Sequence, residues 1–238
     1  FADRQEIVYS GYDVWGNVLS QTIDVYDSET ELTSEHLIEH KVIENIYTGS
    51  VTIVYGDGQT EQIIDGSIAA RRGNAIYTTI SRYSSNTNVG PSTLIDRQEM
   101  TTTKIDWRGN IVDQRIDSYA VDIDLTERLA TTRLIHNANI SNRGDAGIQT
   151  ITTYTTDGTG ANLKLTSYQY IVNRQFDSDH NIYNQRVSAY TDASRTRPIS
   201  VQEIRNLRFD SRGNVIESKA DTYLYDTVTS TYLFDNQT

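Results

Sequence analysis

Cysteine is absent from this chain of 238 residues, which excludes disulfides and thiolate metal centres and leaves the redox compartment open. Proline occurs only at Pro91 and Pro198, so little interrupts long strands. No apolar run approaches the ~18 residues of a membrane-spanning helix, and membrane insertion is not expected. No segment has the pattern of a secretion signal. The chain opens on Phe1 rather than Met, as a processed or excised piece would. Basic residues are few: 21 Lys and Arg against 32 Asp and Glu give a net charge of −11. Such a surface repels phosphate backbones, so nucleic acid is not expected as a main partner, while divalent cations are attracted. Hydrophobic residues reach only 37%, which points to a thin core.

Tyr, by contrast, occurs 16 times, and Thr, Ser, Ile and Val are frequent. These types favour a pleated, half-buried surface. They are organised around one turn. Tyr12-Asp13-Val14-Trp15-Gly16-Asn17 recurs as Ile105-Asp106-Trp107-Arg108-Gly109-Asn110 and as Phe209-Asp210-Ser211-Arg212-Gly213-Asn214. Weaker copies end in Gly73-Asn74, Gly144-Asp145 and His180-Asn181. The glycine position therefore falls at 16, 73, 109, 144, 180 and 213, a period of about 36 after one longer gap. Ten residues beyond it stands Tyr26, Tyr83, Tyr119, Tyr154, Tyr190 or Tyr223. Upstream lies Gln-x-Ile, as in Gln5-Glu6-Ile7 and Gln202-Glu203-Ile204.

Asp-x-x-Gly is turn chemistry, because Asp accepts from the backbone two residues on and Gly takes the left-handed conformation. Gly16, Asn17, Gly73, Asn74, Gly109, Asn110, Gly144, Asn181, Gly213 and Asn214 are accordingly assigned as structural turn residues. The expected fold is all-β: tandem antiparallel β-hairpins stacked into a continuous sheet, as a solenoid, a spiral or a shell. One array of six to seven units spans 1–238, with 27–60 a degenerate unit. Both ends are expected to be cut mid-repeat, since Phe1 to Glu6 and Phe234 to Thr238 share a phase. Within 27–60, Glu35 to Ile46 reads either as a strand or as a short helix.

Period-2 alternation places Leu19, Ile23, Val112, Ile116, Ile151, Val187 and Ile216 inward, with Asp24, Asp113, Asp117, Glu217 and Asp221 in solvent. Gln21, Gln114, Gln149 and Gln185 recur on the inward face. They form either an amide ladder along the stack or separate bonds to nearby turns.

The aromatic-Asp-x-x-Gly-Asn turn with its following Tyr resembles the YD repeats of the RHS family, over nearly the whole chain. The resemblance implies a long extracellular or cell-surface protein whose hairpins spiral into a continuous sheet or hollow shell. The longer period, the Asn after Gly and the Gln-x-Ile element depart from that family's pattern.

Sites of chemistry are sparse. Arg143-Gly144-Asp145 spells an adhesion motif but occupies the repeat's turn. His36-Leu37-Ile38-Glu39-His40 matches an inverted zinc-protease pattern, which needs a helix and a third ligand. Asp13, Asp106, Asp177 and Asp210 are weak calcium candidates. Asn139 and Asn236 head glycosylation sequons. No catalytic or cofactor-binding residue stands out. The leading expectation is a structural, non-enzymatic segment of a secreted or cell-surface protein, assembling into a filament, tube or sheath. Its partner would be itself or adjacent repeats through strand pairing, with divalent cations or glycans as further candidates. A carbohydrate-binding or adhesin module, with Tyr rows as stacking platforms, is the alternative.

Overall fold

The computed structural model describes residues 3–55, 61–210 and 213–238. It is all-β and antiparallel, with 64% of residues in strands. The described residues form β1 (Arg4–Tyr12), β2 (Val18–Tyr26), β3 (Leu37–Ile46), β4 (Ser50–Val54), β5 (Glu61–Asp65), α1 (Ser67–Ala70), β6 (Tyr77–Tyr83), β7 (Leu94–Asp106), β8 (Ile111–Val121), β9 (Glu127–Ile140), β10 (Ala146–Thr155), β11 (Lys164–Phe176), β12 (Ile182–Tyr190), β13 (Pro198–Phe209), β14 (Val215–Asp226) and β15 (Thr231–Gln237). Contacts divide them into two units, Phe1–Thr132 with Thr156–Leu163, and Arg133–Thr155 with Lys164–Thr238. In the first unit the strand order is β1-β2-β3-β6-β7-β8, and in the second it is β10-β11-β12-β13-β14-β15. Strand β9 contributes residues to both. Pro198 opens β13 and Pro91 lies in a loop, the two places where a missing N–H costs no ladder bond.

The long gap between the first two glycine positions is an insertion, not a degenerate unit. Strand β3 is a full strand that pairs with β2 on one side and β6 on the other. Glu35 to Ile46 is therefore not helical: its first residues are turn, and the rest is β3. Its hairpin with β6 carries β4, β5 and α1 where the others carry a tight turn. Residues 56–60 of the proposed unit lie outside the described residues. Strand β4 pairs antiparallel with β5 and parallel with the end of β7, matching Ile53 to Ile105. Val51, Ile53, Ala69, Ile76 and Ile105 are buried together there, with Ile64 and Ile68 packed against them.

Gly73 and Asn74 thus close α1 rather than a hairpin. The Gly73 N–H reaches Ala70 O at 2.9 Å and the Asn74 N–H reaches Ala69 O at 3.0 Å, the paired bonds of a Schellman end.

The inward and outward assignments hold poorly. Ile116 is buried and Glu217 is exposed, but Leu19 and Ile216 are also exposed. Ile23, Val112, Ile151, Val187, Asp24, Asp113, Asp117 and Asp221 are all half-buried. The reason is the parity of the tyrosines. Tyr26 and Tyr119 lie an even number of residues from Asp24 and Asp117, so they share the acidic face and add apolar surface to it. Tyr26 is buried on that face, as are Ser81, Thr132 and Ser188. Arg97 lies 4.3 Å from the Tyr119 ring centre, bonds Glu99, and bonds Glu127 at 2.6 Å.

Three first strands carry a register shift just before the turn, at Thr102/Lys104, Asn173/Gln175 and Asn206/Arg208. Such bulges bend a strand and tighten its twist. They set up the turn at one fixed place in each hairpin.

The turn glycine is irreplaceable where neighbours crowd it. Gly109 has φ +87, and a Cβ there would sit 2.5 Å from Ile68 O. Gly109→Ala should therefore destabilise the first unit by more than the roughly 1 kcal/mol of left-handed strain alone. Gly16→Ala, whose Cβ would meet open space, should cost only the strain. Urea denaturation of the two variants measures the difference.

Candidate functional site

The repeated chemistry of the molecule sits at the turn edge. In the first turn one oxygen of Asp13 accepts the N–H groups of Trp15 and Asn17, each at 2.8 Å, and the other accepts the Asn17 side-chain amide at 2.7 Å. The Asp13 N–H closes the loop on Asn17 O at 3.0 Å. Asp106 repeats this with Arg108 N–H, Asn110 N–H and the Asn110 amide at 2.8, 2.9 and 2.8 Å. Asp177 does so with Asp179 N–H, Asn181 N–H and the Asn181 amide at 2.8, 2.9 and 2.9 Å. Asp210 holds Asn214 N–H and its amide, both at 2.8 Å. Ser211 and Arg212 lie outside the described residues. The Asn is therefore half of the clasp.

One turn inverts the clasp. Ser141 Oγ accepts the Arg143 and Asp145 N–H groups at 3.1 Å and donates to Asp145 Oδ2 at 3.1 Å. Donor and acceptor have changed places, and the geometry survives. His180 replaces the glycine of the next turn at φ +67, and its ring bonds Asp145 Oδ1.

The same residues also reach one turn further. The Asn17 amide donates to Ala70 O at 2.6 Å, and the Asn74 amide to Gly109 O at 2.9 Å. Arg72 Nε donates to Arg108 O at 2.7 Å. In the second unit the Arg143 guanidinium donates to Asp177 O. Asn181 Oδ1 lies 2.7 Å from where a Cβ on Gly213 would be. Asn17 and Asn74, which each follow a glycine, are thus links between consecutive turns.

A second line of links runs through the strands. Asn45, Asn173 and Asn206 donate their amides to Val18 O, Ala146 O and Ile182 O at 3.0, 2.8 and 2.7 Å, and the Thr102 hydroxyl donates to Ala75 O at 2.9 Å. Val18, Ala146 and Ile182 open the second strand of the hairpin before, and Ala75 stands two residues ahead of β6. The side-chain oxygens of Asn45, Asn137 and Asn173 accept from Thr78, Gln149 and Gln185 of their own hairpins at 2.8, 2.9 and 2.9 Å. Gln149 and Gln185 therefore bond an Asn across the hairpin. Gln21 and Gln114 are half-buried at the equivalent register, opposite Tyr9 and Thr102. The Asn line was legible but unread: Asn137, Asn173 and Asn206 each stand seven residues before the glycine position.

The other motifs are absorbed by these contacts. Asp145 of Arg143-Gly144-Asp145 has a side chain only 9% exposed, held by Ser141 and His180. His36 bonds Asp27 at 2.8 Å and Glu31 at 3.1 Å, while His40, on β3, bonds Asp24. Glu39 pairs with Lys41 and Arg82. Among the described residues no group of three or more His, Cys, Asp or Glu is placed to hold a metal ion. Asp13, Asp106, Asp177 and Asp210 point their oxygens at N–H donors, an arrangement that competes with a cation for the same lone pairs. The repeated tyrosines lie over neighbouring side chains. Tyr119 donates to Glu99 at 3.2 Å, and the Tyr190 and Tyr223 rings meet Tyr168 and Phe234 at 6.3 and 5.7 Å.

Electrostatics follow from the clasps. The Asn181 amide leads in holding the Asp177 carboxyl below its ordinary range. For Asp13 slight burial works upward, but the bonds from Asn17, Trp15 and Gly16 outweigh it and the pKa falls. The opposite ends of the hairpins have their own Asp anchors. Thr159 and Asn162 pull Asp157 down to about 2, and Ser194 and Thr196 pull Asp192 down to about 2. His36 is raised, chiefly by its bond to Asp27.

Two outcomes follow. Asn173→Ala removes two bonds, to Ala146 O and from Gln185, so it should cost about 1–3 kcal/mol in urea denaturation, and Gln185→Ala, which removes one, clearly less. The pH responses at the loop ends should oppose each other. A depressed Asp stabilises above its unfolded pKa of roughly 4, and that contribution disappears as pH falls through about 2 at Asp157 and Asp192. The raised His36 stabilises below its unfolded pKa of about 6.5, and its contribution is lost as pH rises through the folded value. Carboxyl and imidazole NMR titrations read both. An Asp157 titrating near 4 would contradict the first.

No protein-family model and no curated protein matches this chain.

Proposed function

We propose that the chain is a structural repeat segment of a large secreted or cell-surface protein, and that it works as scaffold rather than catalyst. The observation that carries this reading is the pair of side-chain links, in which Asn amides tie neighbouring hairpins together within each unit. A module whose contacts are mainly to its neighbours extends by adding copies, and its stability adds up along the array. The resemblance to YD repeats points the same way. Growth into a filament, tube or sheath would use strand pairing at the outer sides of β1 and β15, each of which pairs on one side only among the described residues. The next hairpin, of this protein or of another copy, is the partner.

The test has two arms. Excising one whole hairpin of the second unit, residues 164–197, should leave a chain that folds cooperatively with proportionally less strand signal. Collapse of the whole chain would defeat the modular reading. Antibodies against the segment should label intact cells of the source organism. Labelling only after permeabilisation would defeat the surface assignment.

A further inference from the structure

The first unit carries two features that the scaffold reading leaves unused, at opposite ends of its strands. One is the turn Asp122–Thr126, closed by Asp122 N–H to Thr126 O at 3.0 Å and Leu125 N–H to Asp122 O at 2.9 Å. Ile123 at its tip is 99% exposed and Leu125 is 53% exposed. Leu125 also has φ +61, a position that Gly, Asn or Asp fills at lower cost. The isoleucine adds almost nothing to the packing of its own hairpin, and the leucine leaves half of its surface in solvent. Asp122 and Asp124 flank this knob, accepting the turn's own N–H groups of Ile123 at 2.7 Å and Thr126 at 3.0 Å, and their exposed ion pairs with Arg128 at 3.2 and 3.1 Å contribute little.

The other feature is the turn edge. Both tryptophans of the chain, Trp15 and Trp107, stand there half-exposed. Between them lie Arg71 and Arg72, neither of which has a carboxylate partner among the described residues. The Arg71 guanidinium lies 4.9 Å from the Trp15 ring centre, and Arg72 is anchored through Nε on Arg108 O, which leaves the rest of its guanidinium to other partners. In a chain of net charge −11, this edge presents aromatic faces and unpaired positive charge together.

We propose that the knob of one copy docks on the Trp15–Arg71–Arg72–Trp107 edge of a second copy. Ile123 and Leu125 cover the indole faces, and Asp122 and Asp124 meet the arginines. Charge complementarity selects this occupant: the knob is apolar with acidic flanks, and the seat is aromatic with basic flanks. Each copy has both halves, so the contact is heterologous and propagates sideways. This lateral contact is separate from strand pairing at β1 and β15, and either can hold without the other.

Sedimentation of the full chain at about 0.15 M salt tests it. The wild type should gain mass with concentration. Ile123→Asp on the knob, and Trp15→Ser with Arg71→Gln on the seat, should each weaken association at least about tenfold, because the lost apolar burial alone is of that order. An equimolar mixture of the two variants should form one-to-one dimers that grow no further, since each retains the half the other lacks. Leu125→Gly controls for folding: its melting temperature should hold or rise while association falls. A wild type that stays monomeric up to roughly 1 mM overturns the contact. Assembly that persists in both variants also overturns it, and assigns self-association to another surface such as the strand edges.

Discussion

The structure rests on the exchange of hydrogen bonds between a short polar side chain and a backbone group that would otherwise lack a partner. A tight turn exposes N–H groups that the strand ladder cannot reach, and an unpaired buried group costs about as much as a lost hydrogen bond. Asp13, Asp106, Asp177 and Asp210 meet that need inside the turn, and the following Asn completes the clasp. Asn17 and Asn74 meet the complementary need of a carbonyl oxygen one turn further on, donating their amides to Ala70 O and Gly109 O. Because polar bonds do this work, the hairpins stay in register with little apolar burial. The one compact cluster among the described residues lies where the turn is missing, under β4, β5 and α1. Burial replaces the clasp at the single hairpin that lost it.

Sequence made the hairpins, the turn positions and the all-β class legible because each rests on local chemistry repeated at fixed spacing. What it hid was contextual. The insertion at 47–76 has no second copy to align with, so its core was invisible, and Gly73-Asn74 imitated a turn while closing a helix. The facing of residues failed for a different reason. Alternation separates two faces but does not say how far each is covered, and here both bury residues, Ile116 and Ile171 on one and Tyr26, Ser81 and Ser188 on the other. The glutamines drew attention as a column, yet Gln149 and Gln185 serve Asn137 and Asn173, whose own spacing was equally regular.

The irregular copies show which part of the motif is under physical constraint. At 141–145 the acid has moved from the first position to the last and a hydroxyl has taken its place, so the clasp keeps one acceptor and one donor facing each other. At 180 the glycine has become histidine, a residue that tolerates positive φ at some cost, and that ring bonds the displaced acid of the turn before. The two departures are partners: Asp145 gives His180 a carboxylate that the usual Asn would not provide. Restoring one position alone would leave the other without its complement. What these two hairpins share is therefore a pairing of donor with acceptor at a fixed place, and the residue changes that keep it stand in neighbouring turns.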